Sequence, residues 1–282
     1  MPEPASGQDP VVAPGVDVSR PSIARVYDAF LGGKDNFESD RAVVRQILRI
    51  APELPAWTRE NRRWLARVVE WLAREARITR FLDLGSGLPT AQNTHQLAQR
   101  VNPAAKVGYV DNDPAVIAHG RALLLENANT FFVPADFTTP DQLLADPVVA
   151  GLLDRPVGLI QALILHHVED LDQTRELVRR YVEALPSGSY LAISHACNPR
   201  DGSEPALLAT ALEEKFREQF PSLRFRTPAE ITSYFDGLEL LEPSVVRLFD
   251  WWPPGVDHDE TTAASLSEAA GQILYCGLAR KP

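Results

Sequence analysis

The sequence predicts an α/β protein with a mixed seven-stranded sheet, helices on both faces and a helical extension before the sheet. From residue 80 onward, short apolar runs alternate with segments of helical periodicity, a pattern typical of βαβ units and a parallel sheet. Near the C-terminus we expect a reversed edge strand, which makes the sheet mixed. The runs that predict strands are residues 81–84, 106–110, 130–133, 157–165, 190–194, 238–242 and 273–279.

Three parts of the chain differ in pattern and define the predicted domains. Residues 1–20 are rich in proline, glycine and small residues without periodicity, which predicts a disordered arm. Residues 21–77 carry apolar residues at helical spacing and form a helical extension, with the second helix over about 39–50 and the third over about 59–77. Residues 78–282 form the sheet domain.

Composition excludes several classes of protein. The 282 residues fit one large domain, and the net charge of -10 without any Lys/Arg run is poorly suited to a nucleic acid partner. Only two cysteines occur, Cys197 and Cys276, outside any CxxC pair, so we expect neither a metal site nor a disulfide framework. The apolar runs are too short to span a bilayer and no secretory signal is visible, which favours a cytoplasmic location without membrane contact.

The first predicted strand runs into a Gly-x-Gly turn at Gly85-Ser86-Gly87. Residues without Cβ let a ligand approach the backbone closely and allow positive φ. Leu88-Pro89-Thr90 follows, so the third glycine of the dinucleotide fingerprint is absent, and Asn93 with Gln96 resembles a capping box that starts a helix near Thr94. The loop is therefore longer than a pyrophosphate cradle needs. A plain strand-to-helix turn without a ligand explains the Gly-x-Gly pattern equally well.

The second and third strands end in acids. Asp111 lies 26 residues beyond Gly85, where a carboxylate can accept hydrogen bonds from both ribose hydroxyls, and Asp113 is suited to cap the next helix. Asp136 is suited to accept a hydrogen bond from an exocyclic amine, and Phe137 to cover a purine face. The alternatives are ordinary turn acids and a core phenylalanine.

The fourth strand is continuously apolar, which predicts burial at the centre of the sheet, and it ends at His166-His167. Ligands of open α/β sheets bind at the carboxyl ends of strands, so each histidine is a candidate general base or substrate contact. The alternative is that both shape the loop through hydrogen bonds to the backbone. Successive strand ends of Gly-x-Gly, acid, acid and histidine favour a nucleoside ligand without phosphate, such as S-adenosylmethionine.

The chain resembles class I S-adenosylmethionine-dependent methyltransferases in FLDLGSGLPT, VGYVDNDP, PADF, LILHHVED and LPSGSYLAISHA. More narrowly, RVYDAFLGGKDNFESDR at residues 25–41 and the run at residues 243–252 are similar to an actinobacterial S-adenosyl methyltransferase family formerly classed as a domain of unknown function. The resemblance implies a Rossmann-like fold. It also implies cofactor contacts by Asp83, Gly85 and Gly87 at the methionine end, Asp111 and Asn112 at the ribose, and Asp136 and Phe137 at the adenine.

Two further groups of residues have a functional and a structural interpretation. The resemblance favours a lid over the cofactor, with a Gly-Gly hinge, against a simple interhelical turn. The residues of this predicted lid are Tyr27, Gly32, Gly33, Lys34, Asn36 and Phe37. A second set of aromatic residues suggests the wall of an acceptor pocket, although such residues more often pack in a core. These are Tyr234, Phe235, Trp251 and Trp252.

The predicted function is S-adenosylmethionine-dependent methyl transfer to a small-molecule acceptor that the sequence does not identify. His166, His167 or His195 is available as a base for an O–H acceptor, whereas an amine or thiolate needs none. One alternative is a non-catalytic S-adenosylmethionine-binding protein. The other is an NAD-dependent dehydrogenase, against which the missing third glycine and the two histidines argue. The oligomeric state is not specified by the sequence.

Overall fold

The computed structural model describes residues 15–90, 92–123, 127–255 and 268–282. The first 14 residues of the predicted arm lie outside the described residues. Residues that follow them are in contact with the body of the protein, since Val16 packs against Val116 and the Arg25 guanidinium donates to the carbonyl oxygen of Asp17 over 3.1 Å.

Three helices precede the sheet: α1 (Ile23–Leu31), α2 (Glu38–Ile47) and α3 (Leu54–Arg74). The third helix begins five residues before the predicted start at residue 59 because Pro55 is tolerated in a first helical turn. Its predicted apolar stripe is confirmed as fully buried, with Trp64, Leu65 and Val68 at 0 or 1% exposure.

Within the described residues the sheet contains eight strands, whereas the sequence predicts seven. Their bounds are β1 (Arg80–Leu84), β2 (Lys106–Asp111), β3 (Thr130–Pro134), β4 (Gly158–Ala162), β5 (Tyr190–Ala196), β6 (Glu239–Leu240), β7 (Val246–Arg247) and β8 (Leu274–Arg280). The order is β3-β2-β1-β4-β5-β8-β6, and β7 also pairs with β8. The predicted strand at residues 238–242 is shorter in the structure, as β6, and β7 is an additional strand that the sequence analysis did not predict. Both pair with β8, and Pro243, which has no N–H to donate to a ladder, lies between them.

The sheet is mixed, as predicted. Strands β1 to β5 pair in parallel, whereas β8 is antiparallel to β5. The reversed strand is not at the edge, because β6 and β7 cover its outer side. The prediction of a central fourth strand is confirmed, since β4 lies between β1 and β5 with Leu159 and Ile160 fully buried.

The fourth strand is shorter than the apolar run that predicted it. It ends at Ala162, and Leu163 adopts a left-handed conformation with φ 53°, its N–H donating to the carbonyl oxygen of Ser194 over 2.9 Å. A 3-10 turn then spans Leu165–His167. The two histidines therefore lie in a turn beyond the carboxyl end of β4, not in the strand itself.

Helices cover both faces of the sheet, as predicted. The remaining helices are α4 (Thr94–Val101), α5 (Pro114–Leu123), α6 (Pro140–Leu144), α7 (Pro147–Leu152), α8 (Leu171–Ala184), α9 (Glu204–Arg217), α10 (Pro228–Thr232) and α11 (Glu268–Gly271). Phe81 packs in the hydrophobic cluster that includes α3, and its neighbour Leu82 packs in the cluster that includes α7 and α8. None of the helices in the described ranges is long and apolar enough to cross a membrane.

Candidate active site

A cavity of about 610 Å³ lies at the carboxyl ends of β1 to β4, within the usual ~300–1,000 Å³ range of small-molecule sites. The N-terminal part of α1 covers it, and α3 borders it. The structure brings together in its lining every residue predicted to contact the cofactor. These are Asp83, Gly85, Gly87, Asp111, Asn112, Asp136 and Phe137.

The Gly-x-Gly turn needs both glycines. Gly85 and Gly87 have φ values of 66° and 65°, in the left-handed region that side chains with a Cβ disfavour. A Cβ on Gly85 would lie 2.4 Å from the Cγ1 atom of Ile164, so only glycine lets the chain after β4 approach this turn. No atom lies within 4 Å of a Cβ built on Gly87, which leaves the backbone there accessible from the cavity.

The Asp111 carboxylate is fixed by the backbone on both sides. Its Oδ2 atom accepts from the N–H of Gly87 and its Oδ1 atom from the N–H of Asp113, each over 2.9 Å. Burial raises the pKa of this carboxyl, and the hydrogen bonds from the backbone oppose that change. Each carboxylate oxygen has a second lone pair, so Asp111 can still accept from two ligand hydroxyls.

Asp83 is the most deeply buried acid of the site, at 4% exposure. Its Oδ2 atom accepts from the Thr94 hydroxyl over 2.7 Å, which ties the end of β1 to the first residue of α4. That helix begins at Thr94 as predicted, and the Asn93 N–H donates to Gln96 over 2.9 Å. Burial raises the pKa of Asp83 to about 6, against the favourable charge of Arg62.

Asp136 and Phe137 are compatible both with the predicted adenine contacts and with the alternative of a turn acid and a core phenylalanine. The Oδ1 atom of Asp136 accepts from both the N–H and the hydroxyl of Thr138 over 2.8 Å, so the acid does form a local turn. Phe137 is buried in the core, and its carbonyl oxygen accepts from the Tyr181 hydroxyl over 2.6 Å. Both residues nevertheless line the cavity.

Arg62 is a site residue that the sequence did not reveal. It lies on α3, lines the cavity, and its guanidinium donates to the Thr90 hydroxyl and to the carbonyl oxygen of Gln92, each over 2.8 Å. The helix carries several arginines, and no local pattern distinguishes this one. It supplies a positive charge beside a lining that holds, among the described residues, five carboxylates, those of Asp28, Asp83, Asp111, Asp113 and Asp136.

The two adjacent histidines occupy different places. His167 lines the large cavity, whereas His166 lies behind it with 7% exposure and lines a second, smaller one. Their ring centroids are 4.4 Å apart, and the His195 ring is 5.6 Å from that of His166. Burial lowers the pKa of His167 to about 4 and that of His195 to about 3, so these two rings are neutral at pH 7.

Of the predicted lid residues, the structure brings only Tyr27 to the cavity. Gly32, Gly33, Lys34, Asn36 and Phe37 do not line it. Their loop wraps around Asp28, whose Oδ2 atom accepts from the Asp35 N–H and the Asn36 side-chain amide over 3.0 and 2.8 Å. A Cβ on Gly33 would lie 1.9 Å from Asp28 Oδ1, so this glycine permits tight packing around the acid.

The segment that does cover the cavity is residues 21–28. A buried ion pair of 2.8 Å between Arg25 and Asp40 holds it in place, and the same carboxylate accepts from the backbone N–H of Ser22 over 3.0 Å. The Ser22 hydroxyl donates to the Asp113 carboxylate at the start of α5. The extension is thereby fastened to the sheet domain at the edge of the cavity.

The predicted aromatic pocket wall is packing surface. Trp251 is fully buried with its ring edge-on to Trp64, at a centroid distance of 6.1 Å. Tyr234 and Phe235 are buried in the hydrophobic cluster on the opposite face, and the Arg67 guanidinium lies 4.3 Å from the ring centre of Trp252. None of the four predicted residues lines the cavity.

The chemistry of this lining fits S-adenosylmethionine better than a dinucleotide. Several carboxylates around one cavity would repel a pyrophosphate, whereas they attract the ammonium and sulfonium groups of a cationic nucleoside. Arg62 offers a counter-charge for a single carboxylate, and Asp111 offers acceptors for a ribose diol. In the described ranges, no group of three or more His, Cys, Asp or Glu residues is arranged to hold a metal ion.

Comparisons with known proteins agree with this chemistry. A family model described as S-adenosyl methyltransferase matches residues 11–282. A protein of known structure from Thermobifida fusca, described as a candidate methyltransferase, is 43% identical, with 95% of this chain and 97% of that chain covered and a TM-score of 0.85. A DUF574 family protein from Streptomyces avermitilis is 38% identical over 94% of this chain and 99% of that chain, also with a TM-score of 0.85. A search of curated proteins found no match.

The chain belongs to the S-adenosyl methyltransferase family, since the family model covers nearly all of it. It is an S-adenosylmethionine-dependent methyltransferase with a Rossmann-like fold. The acceptor of the methyl group is not identified by the comparisons.

Proposed function

We propose that the cavity binds S-adenosylmethionine with its adenosine against the ends of β2 and β3 and its methionine end against β1 and α3. The observation that carries this orientation is the Asp111 carboxylate, which two backbone N–H groups hold at the cavity wall while one lone pair on each oxygen remains for a ribose hydroxyl. Asn112 lies beside it, and Asp136 with Phe137 borders the adenine end.

At the methionine end, two opposite charges correspond to the two charges of an amino acid. Arg62 pairs with the ligand carboxylate and Asp83 with the ammonium group. Gly85 and Gly87 let the ligand lie against the backbone of the turn. Arrival of the ammonium group stabilises the ionised form of Asp83, whose pKa burial raises to about 6 in the free protein.

When bound, S-adenosylmethionine supplies a methyl group made electrophilic by the sulfonium charge. The contribution of the chain is to hold the donor and acceptor in line and to exclude water from them. Residues 21–28 of the helical extension serve as the cover, held closed by the Arg25–Asp40 pair. Within the helical extension of residues 21–77, the lid is therefore the segment of residues 21–28, which includes Tyr27. The loop after Gly32 supports this segment from outside the cavity.

The acceptor in this proposal is a small molecule, because the reacting end of the cavity is covered by residues 21–28. His167 is the candidate base, since its ring lines the cavity and is neutral at pH 7, so it can accept a proton from an acceptor hydroxyl. The ring of His166 packs beside it, and the His195 ring packs in turn against His166. The acidic charge without any Lys/Arg run supports the absence of a nucleic acid partner. The cytoplasmic location stays a prediction.

Titration calorimetry tests the cofactor assignment. S-adenosylhomocysteine is expected to bind the wild-type protein and NADH is not. The Asp111→Ala variant should lose at least about 100-fold in affinity for S-adenosylhomocysteine, because two hydrogen bonds to an anionic acceptor are removed, each worth about 1.5–3 kcal/mol. Asp146→Ala is the matched control, since this acid also accepts from two backbone N–H groups but caps α7 away from the cavity. Equal affinity in Asp111→Ala and wild type would refute the ribose assignment.

A further inference from the structure

A second chamber of about 90 Å³ adjoins the cofactor cavity. The two share four lining residues, Ile23, Tyr27, Leu163 and His167, so the chamber begins where the cofactor cavity ends. It lies between α1, the start of α3 and the turn after β4. An engineered protein cavity of about 150 Å³ holds benzene, so this chamber suits a single ring only if part of the ring lies at the shared boundary.

The chamber is lined almost entirely by apolar side chains. Its lining residues beyond the four shared ones are Val26, Phe30, Leu54, Trp57, Thr58, His166, Ala196, Phe216, Leu223, Phe225 and Leu274. No Asp, Glu, Lys or Arg occurs among these described residues. Four of them are Phe or Trp, whose rings pack well against another aromatic ring.

Two polar atoms in this lining lack a hydrogen-bond partner in the part of the chain that the structure describes. They are the Nε1 atom of Trp57 and the Nδ1 atom of His166, on residues with only 6% and 7% exposure. Buried donors and acceptors are normally satisfied, and a ligand group that both accepts and donates would satisfy these two atoms. A hydroxyl both accepts and donates, so it can serve an indole N–H and a neutral imidazole nitrogen.

We propose that this chamber binds the methyl acceptor, and that the acceptor is a small uncharged molecule with one aromatic ring and a hydroxyl group. The proposal rests on the proposed function, because the chamber has a catalytic meaning only beside a bound methyl donor. Part of the ring lies at the boundary of the two cavities and the rest lies against Phe30, Phe216 and Phe225, with the hydroxyl toward the adjacent rings of His166 and His167.

Methyl transfer to the acceptor requires only the sulfonium of the cofactor, the acceptor hydroxyl and an imidazole base. The hydroxyl oxygen uses a lone pair to form the new bond to the methyl carbon, the carbon–sulfur bond breaks with its electron pair going to sulfur, and the hydroxyl proton passes to an imidazole nitrogen of the adjacent His166 and His167 rings. The products are an aryl methyl ether and S-adenosylhomocysteine. The oxygen becomes strongly acidic as the new bond forms, so an imidazole whose pKa burial lowers to about 4 is basic enough.

The described lining of the chamber offers no charged side chain that could pair with an ionic acceptor. An ammonium or carboxylate group placed there would lose its hydration without an opposite charge to replace it. Burial also raises the pKa of Tyr27 and lowers that of His166, so the titratable groups of the chamber are neutral as well. The ammonium and carboxylate of the cofactor itself find their partners only in the larger cavity.

The test is calorimetry on the protein saturated with S-adenosylhomocysteine, with four probes built on one ring. They are 4-ethylphenol, ethylbenzene, tyramine and 4-hydroxyphenylacetate, which are respectively hydroxylated, without hydroxyl, cationic and anionic. We expect 4-ethylphenol to bind and each of the other three to bind at least about tenfold more weakly. With S-adenosylmethionine in place of its product, 4-ethylphenol should yield 4-ethylanisole, detected by mass spectrometry.

Two variants locate the binding. Ala196→Leu places three more carbons in the chamber and should abolish 4-ethylphenol binding while the affinity for S-adenosylhomocysteine is unchanged, which also shows that the variant is folded. Ala150→Leu, on an exposed position of α7, is the matched control and should bind the probe like the wild type. Trp57→Phe keeps a ring but removes the indole N–H, so it should weaken 4-ethylphenol severalfold and leave ethylbenzene unaffected.

The outcomes separate the two proposals. If S-adenosylhomocysteine binds but 4-ethylphenol does not, or if a charged probe binds as well, the acceptor inference is wrong and the cofactor assignment stands. Unchanged 4-ethylphenol binding in both Ala196→Leu and Trp57→Phe would also overturn the inference, because the phenol would then lie elsewhere. If S-adenosylhomocysteine itself fails to bind, the proposed function is refuted and the inference falls with it.

Discussion

The carboxyl edge of the sheet has two chemically different halves. Asp83 is the penultimate residue of β1, Asp111 is the last residue of β2 and Asp136 follows β3 by two residues, and all three line the large cavity. His166 and His167 lie in the turn after β4 and His195 lies on β5, and burial keeps all three rings neutral at pH 7. One half is thus suited to a cationic nucleoside and the other to an uncharged partner.

The difference shows how one fold keeps two ligands apart. Acids and Arg62 attract the charged ends of the cofactor, and neutral rings among apolar side chains favour an uncharged acceptor. His167 lies where the halves meet, since it lines both the large cavity and the small chamber. A mutation of Asp83 or Arg62 should therefore change only the acidic half of the edge, and a change of pH should leave the histidine half uncharged.

The largest expected effect is on stability, through Asp83 in the acidic half. Burial raises the pKa of this carboxyl from 3.8 to about 6, so the folded state binds its proton more tightly than the unfolded chain does. Its favourable contribution is complete below pH 4 and is lost as the pH rises through about 6. Asp83→Asn should therefore raise the free energy of unfolding at pH 8 by roughly 1–3 kcal/mol, measured by urea unfolding without cofactor.

The same substitution should weaken S-adenosylhomocysteine binding, because a neutral amide attracts the ligand ammonium less strongly. At pH 4 the stability difference between Asp83→Asn and wild type should nearly vanish, since both side chains are then uncharged. A gain of equal size at pH 4 and pH 8 would contradict the assignment of a buried, ionised acid at the end of β1.

A smaller effect is expected at Arg62. Removal of its positive charge in Arg62→Met should weaken S-adenosylhomocysteine binding about tenfold, which corresponds to about 1.4 kcal/mol, because the ligand carboxylate loses a charged partner. Arg63→Met is the control, since this neighbouring side chain is exposed and does not line the cavity. Calorimetry at two salt concentrations should also show a reduced salt dependence in Arg62→Met. Equal losses in both variants would exclude a specific contact.

The smallest expected effect is the pH response of the His167 ring, which should not gain a proton near the ordinary pKa of a histidine. Because burial lowers the pKa of His167 to about 4, its ring should stay neutral from pH 8 down to about 5.5. NMR signals of the ring, assigned with a His167→Gln variant, should not move over this range, whereas the urea-unfolded chain should titrate near the ordinary value of about 6.5. An inflection near pH 6.5 in the folded protein would show that the ring is hydrated and charged in acid.

Much of this edge could be predicted from the sequence because its signals are local. Apolar runs predict the strands, and the residues just beyond each run lie at the carboxyl end, so the sequence predicts Gly85, Asp111, Asp136 and His166 at one edge. In the structure, the neighbouring His167 and not His166 lines the large cavity. The capping box at Asn93 likewise depends only on residues three apart.

The remainder depends on contacts between distant segments. Arg62 becomes a site residue only because α3 packs beside the loop that carries Thr90. The loop after Gly32 resembles a hinge in sequence, but its conformation is set by the buried Asp28 carboxylate. Trp251 and Trp252 suggest a pocket wall in sequence but pack against side chains of α3, and the sequence does not specify those partners.

A crystal structure with S-adenosylhomocysteine tests the division of the edge most directly. We expect the ribose hydroxyls within about 2.6–3.2 Å of the Asp111 carboxylate oxygens, the ligand carboxylate beside Arg62, and the sulfur facing the boundary formed by Tyr27 and His167. A ribose bound against the histidines, or a sulfur facing away from the small chamber, would contradict it.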